Sequence, residues 1–96
     1  MPSYRVRMAI GSMRPGADPA EVLPSAAAAA RELTAVEAAE IDVVRGTARV
    51  TVRFEAPDDL AAAQVARTVV DATEALADVE VHRVTRRWGA RWYGLR

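Results

Sequence analysis

The residues with the clearest chemical potential lie at the C-terminal end of the chain. Three of the five aromatic side chains of the protein lie there, with arginines around them and no acidic residue after Glu80. Aromatic rings bury large apolar areas, and arginine adds charge and forked hydrogen bonding. We therefore treat one group as a candidate interaction tail: Arg87, Trp88, Arg91, Trp92 and Tyr93.

Three destinations are open for this tail, which we delimit as residues 86–96. It could pack on its own domain, pack on a partner subunit, or bind nucleic acid through arginine contacts and base stacking. The chain has 13 basic and 13 acidic residues, so its net charge is zero. Because nucleic-acid and membrane binders usually carry a basic surplus, this balance ranks nucleic acid last and argues against a membrane partner.

A second set of arginines occupies alternate positions of predicted strands. Side chains at alternate positions of a strand share one face, so these guanidinium groups could together hold a carboxylate or phosphate. We also expect His82 on this face, and Arg14 lies in a glycine-rich loop. The alternative is a solvated face of cross-strand Arg–carboxylate pairs. The candidate ligand-binding residues are Arg5, Arg7, Arg14, Arg49, Arg53 and His82.

The residue types do not form a catalytic or metal-binding pattern. The chain has no cysteine and one histidine, whereas metal sites need several clustered ligands and acid–base catalysis needs a positioned partner. In the loop Gly11–Gly16, Ala17 and Asp18 follow where a phosphate-binding loop requires Lys and Ser or Thr. The sequence therefore favours a protein that is not an enzyme, predicts no metal and no cofactor, and carries no family signature.

Hydrophobic periodicity indicates which elements position these residues. Apolar residues at every second position predict strands at residues 4–10, 39–45, 49–55 and 79–84. Helices are predicted to begin at Asp18-Pro19 and at Pro57-Asp58, because a carboxylate cap and a proline suit a first turn.

The order strand, helix, hairpin, helix, strand resembles the ferredoxin-like fold. It predicts an α+β sandwich in which a four-stranded antiparallel sheet carries both helices on one face. We expect residues 1–85 to form this single domain, followed by the tail.

The leading functional hypothesis is a small, non-catalytic protein-interaction module that binds itself as a homodimer or binds another protein. The second is a regulatory domain or enzyme subunit that holds a small anionic ligand on the arginine-lined face, and nucleic-acid binding through the tail is third. The N-terminus lacks the apolar core of a signal peptide, and no apolar run is long enough to span a membrane. We therefore expect a cytoplasmic protein.

Overall fold

Five strands and two helices follow one another in residues 1–95, the part of the chain that the computed structural model describes. A short 3-10 turn, Pro19–Glu21, precedes the first helix. In chain order the elements are β1 (Ser3–Met13), α1 (Val22–Arg31), β2 (Val36–Val44), β3 (Thr47–Glu55), α2 (Asp59–Glu74), β4 (Ala77–Trp88) and β5 (Arg91–Gly94).

All neighbouring strands are antiparallel, in the order β2-β3-β1-β4-β5. The predicted combination of two helices with an antiparallel sheet is confirmed, but the predicted number of four strands is wrong. β4 continues past residue 84 to Trp88, and the chain then reverses through Gly89, whose φ is +59°. The returning segment pairs with the end of β4 as a fifth strand at the edge of the sheet.

The core lies between one face of the sheet and the two helices. Alternate residues of β1 and β3 are fully buried there, including Val6 and Val52, and Tyr4 stacks on Phe54 with ring centroids 6.1 Å apart. The helices contribute small or β-branched side chains to the same core: Ala26, Ala30, Val65 and Val69. Because the buried residues of α1 are largely alanine, this helix can pack close to the strands that it covers.

Both helical segments begin with an aspartate cap. The Oδ1 atom of Asp18 accepts a hydrogen bond from the Ala20 amide at 2.9 Å, and that of Asp58 accepts one from the Ala61 amide at 2.8 Å. Each bond occupies a backbone donor that the first helical turn leaves without a partner. The first cap serves the 3-10 turn, and α1 itself begins at Val22.

A bulge in β4 reverses the side-chain alternation of that strand. Ile10 pairs with Val79 and Ala9 pairs with Val81, so Glu80 is an extra residue between the two pairs. One extra residue shifts every following side chain to the other face. His82 therefore lies opposite Met8, on the helix side of the sheet, and the expectation that it shares a face with the arginines is wrong.

Candidate binding face

The sheet face turned away from the helices, which we call the open face, carries most of the predicted arginines. Direct pairing across strands places Arg5 opposite Arg53 and Arg7 opposite Arg83. Like charges directly opposite one another destabilise a sheet. The arrangement therefore differs from the expected solvated face of Arg–carboxylate pairs, although Arg49 does lie opposite Asp42.

Ion pairing on this face is sparse. Arg53 lies 3.6 Å from a carboxylate oxygen of Glu37. Within residues 1–95, five other arginines of the open face form no ion pair, namely Arg5, Arg7, Arg49, Arg83 and Arg87. Guanidinium groups without a carboxylate can accept an external anion.

Trp92 lies over one pair of these arginines. The guanidinium carbon of Arg5 is 4.2 Å from the centre of the Trp92 ring, and that of Arg53 is 5.2 Å from it. The Nε atoms of both arginines are buried without a hydrogen-bond partner among the described residues. The ring offers them a cation–π contact. We call Arg5 and Arg53 the capped pair.

Arg5 of the capped pair lies in an unfavourable electrostatic environment. Burial of the guanidinium lowers the pKa of Arg5, the neighbouring charges of Arg7 and Arg53 lower it further, and Glu40 raises it. Burial and like charges disfavour the charged form of a base, so both disfavour the protonated form of Arg5. The overlying ring partly offsets that cost.

A depression of about 300 Å³ lies next to the capped pair on the same face. Three arginines line it together with small and apolar side chains, and none of the lining residues is acidic. Ala9 pairs with Arg49 on one side and with Val81 on the other. We call this feature the arginine depression; its lining residues are Arg7, Met8, Ala9, Arg49, Val81 and Arg83.

Two of the predicted ligand-binding residues lie apart from this cluster. Arg14 forms an ion pair with Asp78 and donates a hydrogen bond from Nε to the carbonyl oxygen of Glu74 at 3.1 Å, so it links the end of β1 to the end of α2 and the start of β4. His82 lines a shallow recess of about 480 Å³ on the helix side, beside Ala63 and Leu95.

The tail residues divide between the two faces of the sheet. Arg87 pairs with Trp92 and Trp88 pairs with Arg91 across the β4–β5 hairpin. Arg87 also donates a hydrogen bond from Nε to the carbonyl oxygen of Gly89 at 2.7 Å, which supports the turn. Trp88 and Tyr93 stay about half exposed, at 57% and 50%. Trp92 is therefore the tail aromatic that joins the candidate site.

Sequence reasoning missed a cluster around Arg86 on the helix side. Its guanidinium carbon lies 4.0 Å from the Trp88 ring centre, and its Nη1 donates a hydrogen bond to Asp59 at 3.0 Å. The Tyr4 hydroxyl donates to the same carboxylate oxygen at 2.7 Å. Asp59 in the first turn of α2 was the available sequence signal, but its partners come from β1 and β4.

The cluster shifts two pKa values in opposite directions. Burial, and then the hydrogen bond to Asp59, raises the pKa of Tyr4 to about 12. The hydrogen bonds from Tyr4 and then from Arg86 lower the pKa of Asp59. The folded structure therefore favours a neutral tyrosine beside an ionised carboxylate.

Neither helix within residues 1–95 is long and apolar enough to cross a membrane. The same residues contain no group of three or more His, Asp or Glu side chains placed to hold a metal ion. No protein-family model matches the chain, and comparison with curated proteins and with solved structures gives no match.

Proposed function

We propose that the chain is a non-catalytic, cytoplasmic interaction module that forms a homodimer through the open face. We also assign its first four strands to the ferredoxin-like arrangement, with β5 added at one edge. The order β2-β3-β1-β4 and the two helices that share one core support this assignment. The function is argued from the face and not from the fold, because this arrangement hosts many unrelated activities.

The observation that carries the proposal is the separation of charge across the open face. Glu40 and Asp42 lie on this face of β2, at one edge of the sheet. Arginines occupy the strands beyond, and one row across the sheet runs from Glu40 through Thr51 and Arg7 to Arg83. One edge of the face is therefore acidic and the opposite half is basic.

Symmetry makes this charge pattern complementary to itself. Two copies that stack their open faces about a twofold axis parallel to the strands bring β2 of each copy over β4 of the other. Glu40 of one copy then faces Arg83 of its partner, and the reciprocal contact follows from the symmetry. A twofold axis perpendicular to the strands would instead place β2 of one copy over β2 of the other, so that carboxylates face carboxylates. The charges therefore favour the axis parallel to the strands.

The open face is close in size to a standard specific contact. Strands about 4.8 Å apart that rise about 3.3 Å per residue give a five-stranded face an area of roughly 700 Å². Stable interfaces bury about 800 Å² per partner. Two side chains on this face supply apolar area, since Val81 is 65% exposed and Trp92 is partly exposed.

Light scattering combined with size-exclusion chromatography tests the proposal through charge reversal. The wild-type chain is expected to elute as a dimer. A variant that reverses the charge of the acidic edge, E40R/D42R, and a variant that reverses two charges of the basic half, R7E/R83E, should each elute as a monomer. An equimolar mixture of the two variants should form a heterodimer, because each face then meets its opposite charge.

Two outcomes would contradict the proposal. A wild-type monomer at high concentration would exclude self-association. If both variants remain dimers, or if their mixture stays monomeric, the contact does not use the charge pattern of the open face. A matched control is R67Q on the exposed surface of α2, which removes one arginine charge and should leave the dimer intact.

A further inference from the structure

The arginine depression differs from the rest of the open face in its combination of charge and shape. Its central position is Ala9, whose short side chain leaves the space of about 300 Å³ between its larger neighbours. Arg7 and Arg49 border that space from β1 and β3. A ligand could therefore approach the sheet backbone closely while contacting two guanidinium groups.

The third arginine closes the depression on the side of β4. Arg83 extends toward β5, where a Cβ atom added to Gly94 would come within 3.0 Å of its Nη2 atom. Glycine at this position of β5 thus leaves room for the Arg83 side chain. The guanidinium therefore lies against β5, and the direct contacts with a ligand in the depression fall to Arg7 and Arg49.

The charges of these arginines are not balanced within the depression. Arg7, Arg49 and Arg83 form no ion pair with any described residue, and the nearest carboxylates, Glu40 and Asp42 of β2, line a separate recess on the other side of Arg49. Arg7 and Arg83 are also direct cross-strand neighbours, an arrangement that costs stability. Local conflicts of this kind are concentrated at functional sites in natural proteins.

We propose that the arginine depression binds a small polyanion through its phosphate or carboxylate oxygens. Planar guanidinium groups match both kinds of oxygen pair with two parallel hydrogen bonds. Val81 adds an apolar wall for the remainder of the ligand. The capped pair takes no part, because the Trp92 ring already covers Arg5 and Arg53.

The site is open in the single chain, so binding does not require the dimer proposed above. If that dimer forms, the carboxylates of a second copy approach Arg83 and compete with the ligand. Binding and association therefore need separate measurements, and light scattering of each titrated sample reports association independently.

Isothermal titration calorimetry at low ionic strength tests the proposal with inorganic pyrophosphate and with citrate as probes. We expect saturable binding of one probe per chain, and a preference between the two distinguishes phosphate from carboxylate recognition. R7Q and R49Q should each weaken binding at least about tenfold, as expected for the loss of a charge-assisted hydrogen bond. R67Q on α2 removes the same charge from another surface and should bind as the wild type does.

Three results would overturn the proposal. They are the absence of saturable binding for both probes, equal weakening by R67Q and R49Q, and unchanged binding by R7Q and R49Q. Circular dichroism of each variant shows that it remains folded, which we expect because Arg7 and Arg49 are exposed.

Discussion

The capped pair and the arginine depression both contain arginines of β1 and β3; Arg5 and Arg7 are two residues apart, and Arg53 and Arg49 are four residues apart. Arg5 and Arg53 are covered by Trp92, whereas Arg7 and Arg49 border an uncovered space. The difference comes from β5, which is short and reaches one end of the sheet. The Trp92 ring therefore shields the first pair, whereas the second pair can be contacted from outside the chain.

The test with the largest expected effect removes the Trp92 ring that covers Arg5 and Arg53. W92A should destabilise the chain by about 2 kcal/mol, because it removes a partly buried indole and two cation–π contacts. Urea denaturation followed by circular dichroism measures the loss. W88A is the matched control, since Trp88 is 57% exposed and stacks on one arginine, and it should cost less than about 1 kcal/mol. Equal losses would contradict a special role for Trp92.

A smaller test concerns Arg86, which donates a hydrogen bond to the carboxylate of Asp59. The Tyr4 hydroxyl donates to the same carboxylate, and Y4F removes that hydroxyl. The substitution should lower the free energy of unfolding by about 1 kcal/mol at neutral pH. The pKa of Tyr4 rises from 10.0 to about 12 on folding, so its contribution is complete below pH 10.0. That contribution is lost as the pH rises toward about 12.

Urea denaturation across this pH range checks the effect of Tyr4. The wild type should lose stability relative to Y4F between pH 10.0 and about 12, so the two unfolding free energies converge. If the stability difference between the wild type and Y4F stays constant over this pH range, folding does not raise the pKa of the Tyr4 hydroxyl.

The smallest test has the opposite sign and concerns an uncovered arginine. R7Q should stabilise the chain by about 0.2–1 kcal/mol, because the Arg7 charge repels both Arg5 and the cross-strand Arg83. The change in urea midpoint should shrink at high salt, which screens exposed charges. R53Q is the comparison within the capped pair and should be destabilising, since Arg53 has both Glu37 and Trp92 as partners. A loss of stability in R7Q would mean that Arg7 is part of the fold.

The sequence predicted the placement of arginines best where strands are regular. β1 and β3 pair residue by residue from Ser3–Glu55 to Ile10–Ala48, so alternation correctly predicts the open face for Arg5, Arg7, Arg49 and Arg53. β4 follows the same rule up to its bulge, and His82 lies beyond it. A bulge depends on how two distant strands align, which the local pattern of either strand does not contain.

The fifth strand is a second feature that the local sequence pattern does not predict. The recurrence of Arg-Trp four residues apart is visible in the sequence, and in the hairpin it places Arg87 opposite Trp92 and Trp88 opposite Arg91. Four residues are too few for periodicity to distinguish an edge strand from an irregular tail. Pairing with β4 supplies the hydrogen bonds that stabilise the strand.

By itself the sequence determined the two helices, the antiparallel α+β class and the face of the arginines on β1 and β3, because apolar periodicity and caps are local properties. The tertiary structure alone decided which arginines are covered. Trp92 and Arg5 are far apart along the chain, and their contact depends on β5 pairing beside β4 and on β4 pairing beside β1. Contacts of this kind arise from strand order and register, so the open arginine depression became visible once the sheet was assembled.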